Sequence, residues 1–109
     1  MQAAANSTAQ RLSTLARLYQ QGQMSQLMDR TLEKLLAHEA EQVRSQLAEL
    51  ATDLAELEQQ YGLDSTDFIR RYQAGQTDDR MDFVEWASLI HMRDNLLRRL
   101  QLLTNDLAA

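Results

Sequence analysis

The chain has 109 residues, 44% of them hydrophobic and 6% aromatic, with no proline and no cysteine. This length predicts a single domain, and the lack of cysteine excludes disulfides and thiolate metal sites. The net charge is −5, whereas nucleic-acid binding needs a clustered basic face, so nucleic acid is not an expected partner. No apolar run approaches the roughly 18 residues of a membrane-spanning helix and no signal peptide is evident, so we expect a cytoplasmic protein and no membrane partner.

The charge is unevenly distributed along the chain. Residues 1–23 carry Arg11 and Arg17 and no acids, whereas residues 24–60 hold eight acids against three basic residues. An acidic helix in this middle segment would suit a basic protein partner. It could also serve only as a solvated face that keeps the protein soluble.

The first predicted helix covers residues 8–21. Residues 7–10 match a capping box, and leucines follow at helical spacing. We expect residues 1–6 to be frayed. Gly22 either ends this helix or lies as a weak point in a longer one, and we favour a break because Ser25 can cap a new helix.

The second predicted helix covers residues 25–60, in which no residue stops a helix. Its apolar residues step by three and four, the heptad pattern of a coiled-coil or bundle helix. The members of this seam are Leu36, Ala40, Val43, Leu47, Leu50, Leu54, Leu57 and Tyr61. At about 54 Å the helix is too long to be covered by its own chain in a compact domain. We therefore expect it to take surface from a second copy.

The predicted connector spans residues 61–78 and contains a short helix over residues 64–74. Gly62 and Gly75 can adopt the left-handed conformation that ends a helix. The candidate caps are Asp64 or Ser65 for this short helix and Thr77, Asp78 or Asp79 for the next one.

The last predicted helix covers residues 79–106 and carries two overlapping apolar stripes. At about 40 Å it can fold back antiparallel onto the long helix, and two such hairpins would pair into a four-helix core. The sequence thus predicts one all-α unit, an elongated antiparallel helical hairpin that forms a homodimer. The candidate oligomer-core residues are Val43, Leu47, Leu50, Leu54, Leu57, Leu89, Leu96, Leu100 and Leu103.

Catalytic and metal-binding patterns are not found in the sequence. His38 and Glu41 share a helical face, as do His91 and Asp94. Helical di-metal sites use Glu-x-x-His from two helices plus further glutamates, whereas here the order is reversed and no second set occurs. No glycine-rich phosphate loop or nucleophile motif is present either. We predict a protein that is not an enzyme and binds no metal or cofactor.

Aromatic and acidic residues alternate around the start of the last helix. Trp86, the only tryptophan, is either a core residue that closes the hairpin or an anchor in a protein interface, where Trp and Phe are enriched. Both interpretations can hold at once if one aromatic face is internal and another is free. The candidate partner-binding residues are Phe68, Tyr72, Asp82, Phe83, Glu85 and Trp86.

One order of residues extends across the connector and into the last helix. Tyr61-Gly62 is followed by Phe68, Gly75, an acidic run and Glu85-Trp86-Ala87-Ser88-Leu89. This order resembles small antitoxins of bacterial toxin–antitoxin modules over roughly residues 57–103. Residues 18–34 are similar to the leading part of longer, cyanobacterial-type members.

The resemblance implies a non-enzymatic protein that is encoded beside a small toxin, often a ribonuclease, and neutralises it by direct binding. By position, the family's core segment would be formed by Phe68, Gly75, Glu85 and Trp86. Many antitoxins also carry a basic DNA-binding part, which this chain lacks, so the resemblance does not extend to autoregulation. A ribonuclease toxin would have a basic substrate groove that the acidic long helix could occupy.

Two other functions stay open from the sequence. The first is a structural coiled-coil or scaffold protein that only self-associates, which complete burial of Phe83 and Trp86 in a homo-oligomer would favour. The second is a transcriptional regulator, which would need a basic face in the assembled dimer. The residues that could form this face are Arg70, Arg71, Arg80, Arg98 and Arg99.

Overall fold

The computed structural model describes residues 2–108, with side chains for residues 7–104. Within these residues the protein is all-α, as predicted, with four helices and no strand. The helices are α1 (Gln2–Gln20), α2 (Gln26–Tyr61), α3 (Ser65–Gln73) and α4 (Met81–Ala108). All predicted boundaries are within two residues of these, except the start of α1.

The N-terminal helix begins earlier than the sequence analysis predicts. Its first residue is Gln2, so the capping-box residues 7–10 lie inside the helix, and the segment predicted to be frayed is helical from Gln2 onward. Residues 3–5 are alanines, the strongest helix formers, which extend the helix beyond the expected start. Met1 lies outside the described residues.

The predicted break at Gly22 is confirmed. Gly22 has a φ of +68°, and the N–H groups of Gly22 and Gln23 donate to carbonyls of the last turn of α1 at 3.1 and 2.8 Å. This pattern is a Schellman motif, which requires the left-handed conformation that glycine adopts without strain. Ser25 Oγ then accepts from the Met28 N–H at 3.2 Å and caps α2, as predicted.

The chain divides into two compact units, Met1–Leu35 and Leu36–Ala109. In the first unit no described side chain is buried. There, the Tyr19 hydroxyl donates to Asp29 at 2.7 Å and joins α1 to the first turn of α2. The hydrophobic core lies in the second unit, because three helices meet there.

Within the second unit, α2 and α4 run antiparallel, as predicted. Near the end of α2, Tyr61 donates to Asp82 at the start of α4 at 2.5 Å. Further back along α2, Glu39 accepts from Arg99 near the end of α4 at 3.0 Å. Residue numbers that rise along α2 therefore fall along α4, which defines a helical hairpin.

The short helix α3 fills the closed end of this hairpin. Asp64 caps it by accepting from the Asp67 N–H at 2.8 Å, as predicted. Gly62 and Gly75, with φ values of +62° and +71°, end α2 and α3. The chain can therefore reverse twice within a short connector.

The start of α4 differs from the prediction. Arg80 takes the capping position, since its carbonyl accepts from the Phe83 and Val84 N–H groups at 3.0 and 3.2 Å. Asp78 instead closes a turn by accepting from the Arg80 N–H at 3.1 Å. It also accepts from the Arg80 guanidinium at 2.9 and 2.7 Å. These bonds from Arg80 lower the pKa of the Asp78 carboxyl to about 2.

Trp86 and Phe68 form the centre of the core. Both side chains are fully buried, and their rings stack with centroids 4.0 Å apart and an interplanar angle of 2°. The Trp86 indole N–H donates to the buried Ser65 Oγ at 2.9 Å, so the polar atom of the ring is satisfied. The buried cluster also contains Leu54, Ala87 and Ile90.

We predict that Ser65→Ala destabilises the protein by about 1–3 kcal/mol, because it leaves the buried Trp86 N–H without an acceptor. Urea unfolding followed by the fluorescence of this single tryptophan measures the change. The matched control is Ser88→Ala, the same substitution at an exposed position of α4, expected to change the free energy of unfolding by under about 0.5 kcal/mol. Equal effects of the two substitutions would contradict the assigned role of the bond.

Candidate functional site

An open groove follows the seam between α2 and α4. It consists of two cavities of about 460 and 280 Å³ that share Asp53 and Leu89 in their linings. No residue of α3 lines either cavity, so the groove lies on the part of the hairpin that α3 leaves uncovered. We call it the acidic groove.

The acidic groove has an apolar floor and acidic walls. The floor residues are Leu50, Leu57, Leu89, Met92 and Leu96. The wall carboxylates are Glu49, Asp53, Glu56, Asp82 and Glu85. Apolar surface flanked by charge of one sign is the complement of an amphipathic helix that carries the opposite charge.

Helical spacing explains why these residues share one groove. On α2, Glu49, Asp53 and Glu56 recur at i, i+4 and i+7 and so form one stripe beside the leucine seam. On α4 a single stripe begins with Asp82 and Glu85. It continues at the same spacing through the apolar residues Leu89, Met92 and Leu96.

The groove carboxylates have no cationic partners within the part of the chain that the structure describes. No Lys or Arg lines either cavity, and the ion pairs of the described residues involve other acids, such as Glu39 with Arg99. Charges of one sign along an apolar cleft raise the local concentration of opposite charge. The groove is therefore a negative surface that the described chain leaves uncompensated.

One carboxylate at the closed end of the groove is held in place. Asp82 accepts from the Tyr61 hydroxyl at 2.5 Å and from Gln60 Nε2 at 3.4 Å. The hydrogen bond to Asp82, together with partial burial, raises the pKa of the Tyr61 phenol above its ordinary value of 10.0. Arg80, whose guanidinium lies 5.8 Å from the Tyr61 ring centroid, partly offsets this increase.

The predicted partner-binding residues separate into two groups. Phe68 and Trp86 are fully buried, which agrees with the core interpretation of Trp86 and leaves neither ring exposed in this conformation. The reason is that α3 folds onto α4 and covers the aromatic face. Tyr72 and Phe83 are half-buried and pack against the same core.

The two acidic members of that predicted set have a different location. Asp82 and Glu85 line the acidic groove beside Glu56. The stripe Glu49, Asp53 and Glu56 is not among the predicted partner-binding residues, although it lies in the segment that has an excess of acids. Its i, i+4, i+7 spacing next to a heptad seam is the signal that could have identified it.

The predicted oligomer core is partly used within one chain. Val43, Leu50 and Leu54 are buried by the chain itself. The remaining six, all half-buried, are Leu47, Leu57, Leu89, Leu96, Leu100 and Leu103. Leu57, Leu89 and Leu96 lie in the groove floor, so part of the apolar surface that the hairpin leaves open is in the groove. Leu97 and Leu102 expose further apolar surface on α4 outside it.

Other candidate sites receive no support from the described residues. No group of three or more His, Cys, Asp or Glu side chains among them could hold a metal ion, which includes the surroundings of His38 and His91. Of the arginines that could form a basic face, Arg70, Arg80 and Arg99 are paired with carboxylates. No helix among these residues combines the length and apolar character that crossing a bilayer requires.

Comparison with known proteins gives no match: no family model, curated protein or solved structure matches this chain. Any functional proposal therefore depends on the chemistry of the groove and on the sequence pattern of the connector.

We predict that Asp53→Asn with Glu56→Gln stabilises the protein at low salt. Each change removes like-charge repulsion worth about 0.3 kcal/mol, and the gain should disappear at 1 M salt, where charges are screened over about 3 Å. Thermal unfolding of dilute protein, at a concentration where no second copy occupies the groove, measures the effect at both salt concentrations. The control is Glu41→Gln, which removes a carboxylate paired with Arg44 and should give no gain. Destabilisation by the groove substitutions at low salt would contradict the repulsion.

We also predict that Asp82→Asn lowers the pKa of Tyr61 toward 10, because the amide does not favour the protonated phenol as the carboxylate does. The hydrogen bond from Tyr61 to Asp82 stabilises the folded protein fully below about pH 10. This contribution is lost as the pH rises through the raised pKa that Tyr61 has in the folded state. Near-UV absorbance titration measures the shift in a background with Tyr19→Phe and Tyr72→Phe. Asp29→Asn in that background is the control, and an unchanged titration of Asp82→Asn would refute the assignment.

Proposed function

We propose that this protein is a non-enzymatic, antitoxin-like binding protein that neutralises a small basic toxin by holding one of its helices in the acidic groove. The observation that carries the proposal is the groove itself, a leucine floor between five carboxylates that have no cationic partner among the described residues. Such a surface can remain exposed to water. Its free energy of binding is most favourable with a partner that supplies both apolar area and positive charge.

The occupant that fits best is an amphipathic helix. A groove between two packed helices accepts a third helix whose apolar residues recur at i, i+3, i+4 and i+7. Leu50 and Leu89 would contact that stripe, while Lys or Arg residues on its flanks would pair with Asp53 and Glu56. Asp82, which is already oriented by Tyr61, would pair with a further Lys or Arg of that helix with little loss of side-chain entropy.

The choice of a toxin as partner rests on the resemblance of residues 57–103 to small antitoxins. A ribonuclease must carry a basic surface, because its substrate is a polyanion. An acidic groove that binds near such a surface would compete with RNA for it. Neutralisation would then require only binding, in keeping with a protein that has no proposed catalytic residues.

A scaffold that only self-associates is the second candidate. It is favoured by apolar side chains of α4 outside the groove, since Leu97 and Leu102 are 48% and 78% exposed. Under this alternative the groove charges contribute to solubility rather than to recognition. The two candidates differ in whether binding to a separate basic protein depends on groove carboxylates.

The test mixes the protein with the small protein encoded next to it and measures binding by calorimetry, together with inhibition of any ribonuclease activity. We predict a complex at or below micromolar concentration. Asp53→Lys with Glu56→Lys should weaken it at least about tenfold per reversed charge, or about 1.4 kcal/mol each. Glu41→Lys is the matched control, on the same helix but outside the groove, and should have little effect. No complex at micromolar concentration would defeat the proposal.

A further inference from the structure

The acidic groove also fits a segment of this chain. We infer that α1 of a second copy docks in the groove, so that two copies form a reciprocal dimer in which each supplies one helix and one groove. The inference requires no other protein and does not depend on the proposed function.

Charge complementarity is the first argument. Residues 1–23 carry Arg11 and Arg17 and no acidic residue. The helix α1 therefore lies in a long segment whose charged side chains are all basic. The groove lining carries five carboxylates, the neutral amides of Gln46, Gln60 and Asn95, and no cation. Docking one on the other compensates charge on both surfaces.

Apolar complementarity is the second argument. Arg11, Leu15 and Leu18 recur at i, i+4 and i+7 and so lie on one face of α1. Leu12 flanks this face and is 58% exposed, and no described side chain of residues 7–35 is buried. The groove floor presents a matching apolar surface, in which Met92 is 52% exposed.

Chain length assigns the helix to a second copy. Gln46, the first residue of α2 that lines the groove, lies 20 residues beyond Gln26 (46 − 26 = 20), or about 30 Å at 1.5 Å per residue. Leu12 lies eight residues before Gln20 (20 − 12 = 8), or about 12 Å from the end of α1. Helix length therefore favours docking between two copies over docking within one chain.

Reciprocal exchange also sets the size of the assembly. When a helix docks in the groove of another copy, the contact is head-to-tail. Such contacts build open chains of molecules unless the second copy also docks its own helix in the first. When the second copy returns its own α1 to the first groove, both sites are filled and the assembly closes. We therefore expect a dimer rather than a longer oligomer.

Disulfide trapping tests the contact directly, because the chain has no native cysteine. One full-length protein carries Leu12→Cys and another carries Met92→Cys, and the two are mixed under mild oxidation. We expect the mixed disulfide to form at least tenfold faster than with Leu102→Cys, an exposed α4 position outside the groove. Equal rates at the two α4 positions would overturn the inference.

A charge exchange, followed by sedimentation equilibrium of the protein alone, tests the energetics. Arg11→Glu and Asp53→Arg should each weaken the homodimer at least tenfold, whereas an equimolar mixture of the two should recover most of the affinity, because every docked pair is again of opposite sign. Tryptophan fluorescence checks that both variants fold. A monomeric wild type at high concentration, or a dimer that Arg11→Glu leaves unchanged, would overturn α1 docking. Neither result would bear on binding to a separate toxin.

Discussion

The stack of Trp86 on Phe68 is the interaction on which the second unit depends. It joins α3 to α4 at 4.0 Å between ring centroids, and Leu54 of α2 packs in the same cluster. Large-to-small truncation of such a buried ring costs about 3–5 kcal/mol, a large part of the stability of a small domain. A buried indole N–H without an acceptor would destabilise this core, so the stack also requires the hydrogen bond from Trp86 to Ser65.

This core also determines where the protein can bind. By placing α3 over the aromatic residues, it buries Phe68 and Trp86 and leaves the other part of the α2–α4 seam open. In this open part, which is the acidic groove, the floor contains leucines that one hairpin does not cover. Carboxylates of both α2 and α4 line its walls. Core and groove are thus two consequences of one packing arrangement, in which three helices enclose the aromatic end and two helices continue beyond it.

The two proposals assign different occupants to the same surface. A toxin helix and α1 of a second copy present the same chemistry to the groove, namely leucines on one face and arginine or lysine beside them. If both bind, they compete, and the free protein would hold its groove covered until a tighter ligand displaces α1. Exposed apolar surface of this kind would otherwise favour non-specific association.

Local features of the sequence determined the helices. Gly22, Asp64 and Ser25 act through their own backbone conformation or through neighbours three residues away, so the breaks and two of the caps could be read without a structure. Heptad stripes on two helices likewise indicated the antiparallel hairpin, because helical periodicity is a local property. Only the tertiary structure decided that Trp86 is internal and that Asp53 and Glu85 line one groove. These residues are 32 apart in the chain (85 − 53 = 32), and their proximity depends on how α2 and α4 are rotated about their axes and on which flank α3 covers.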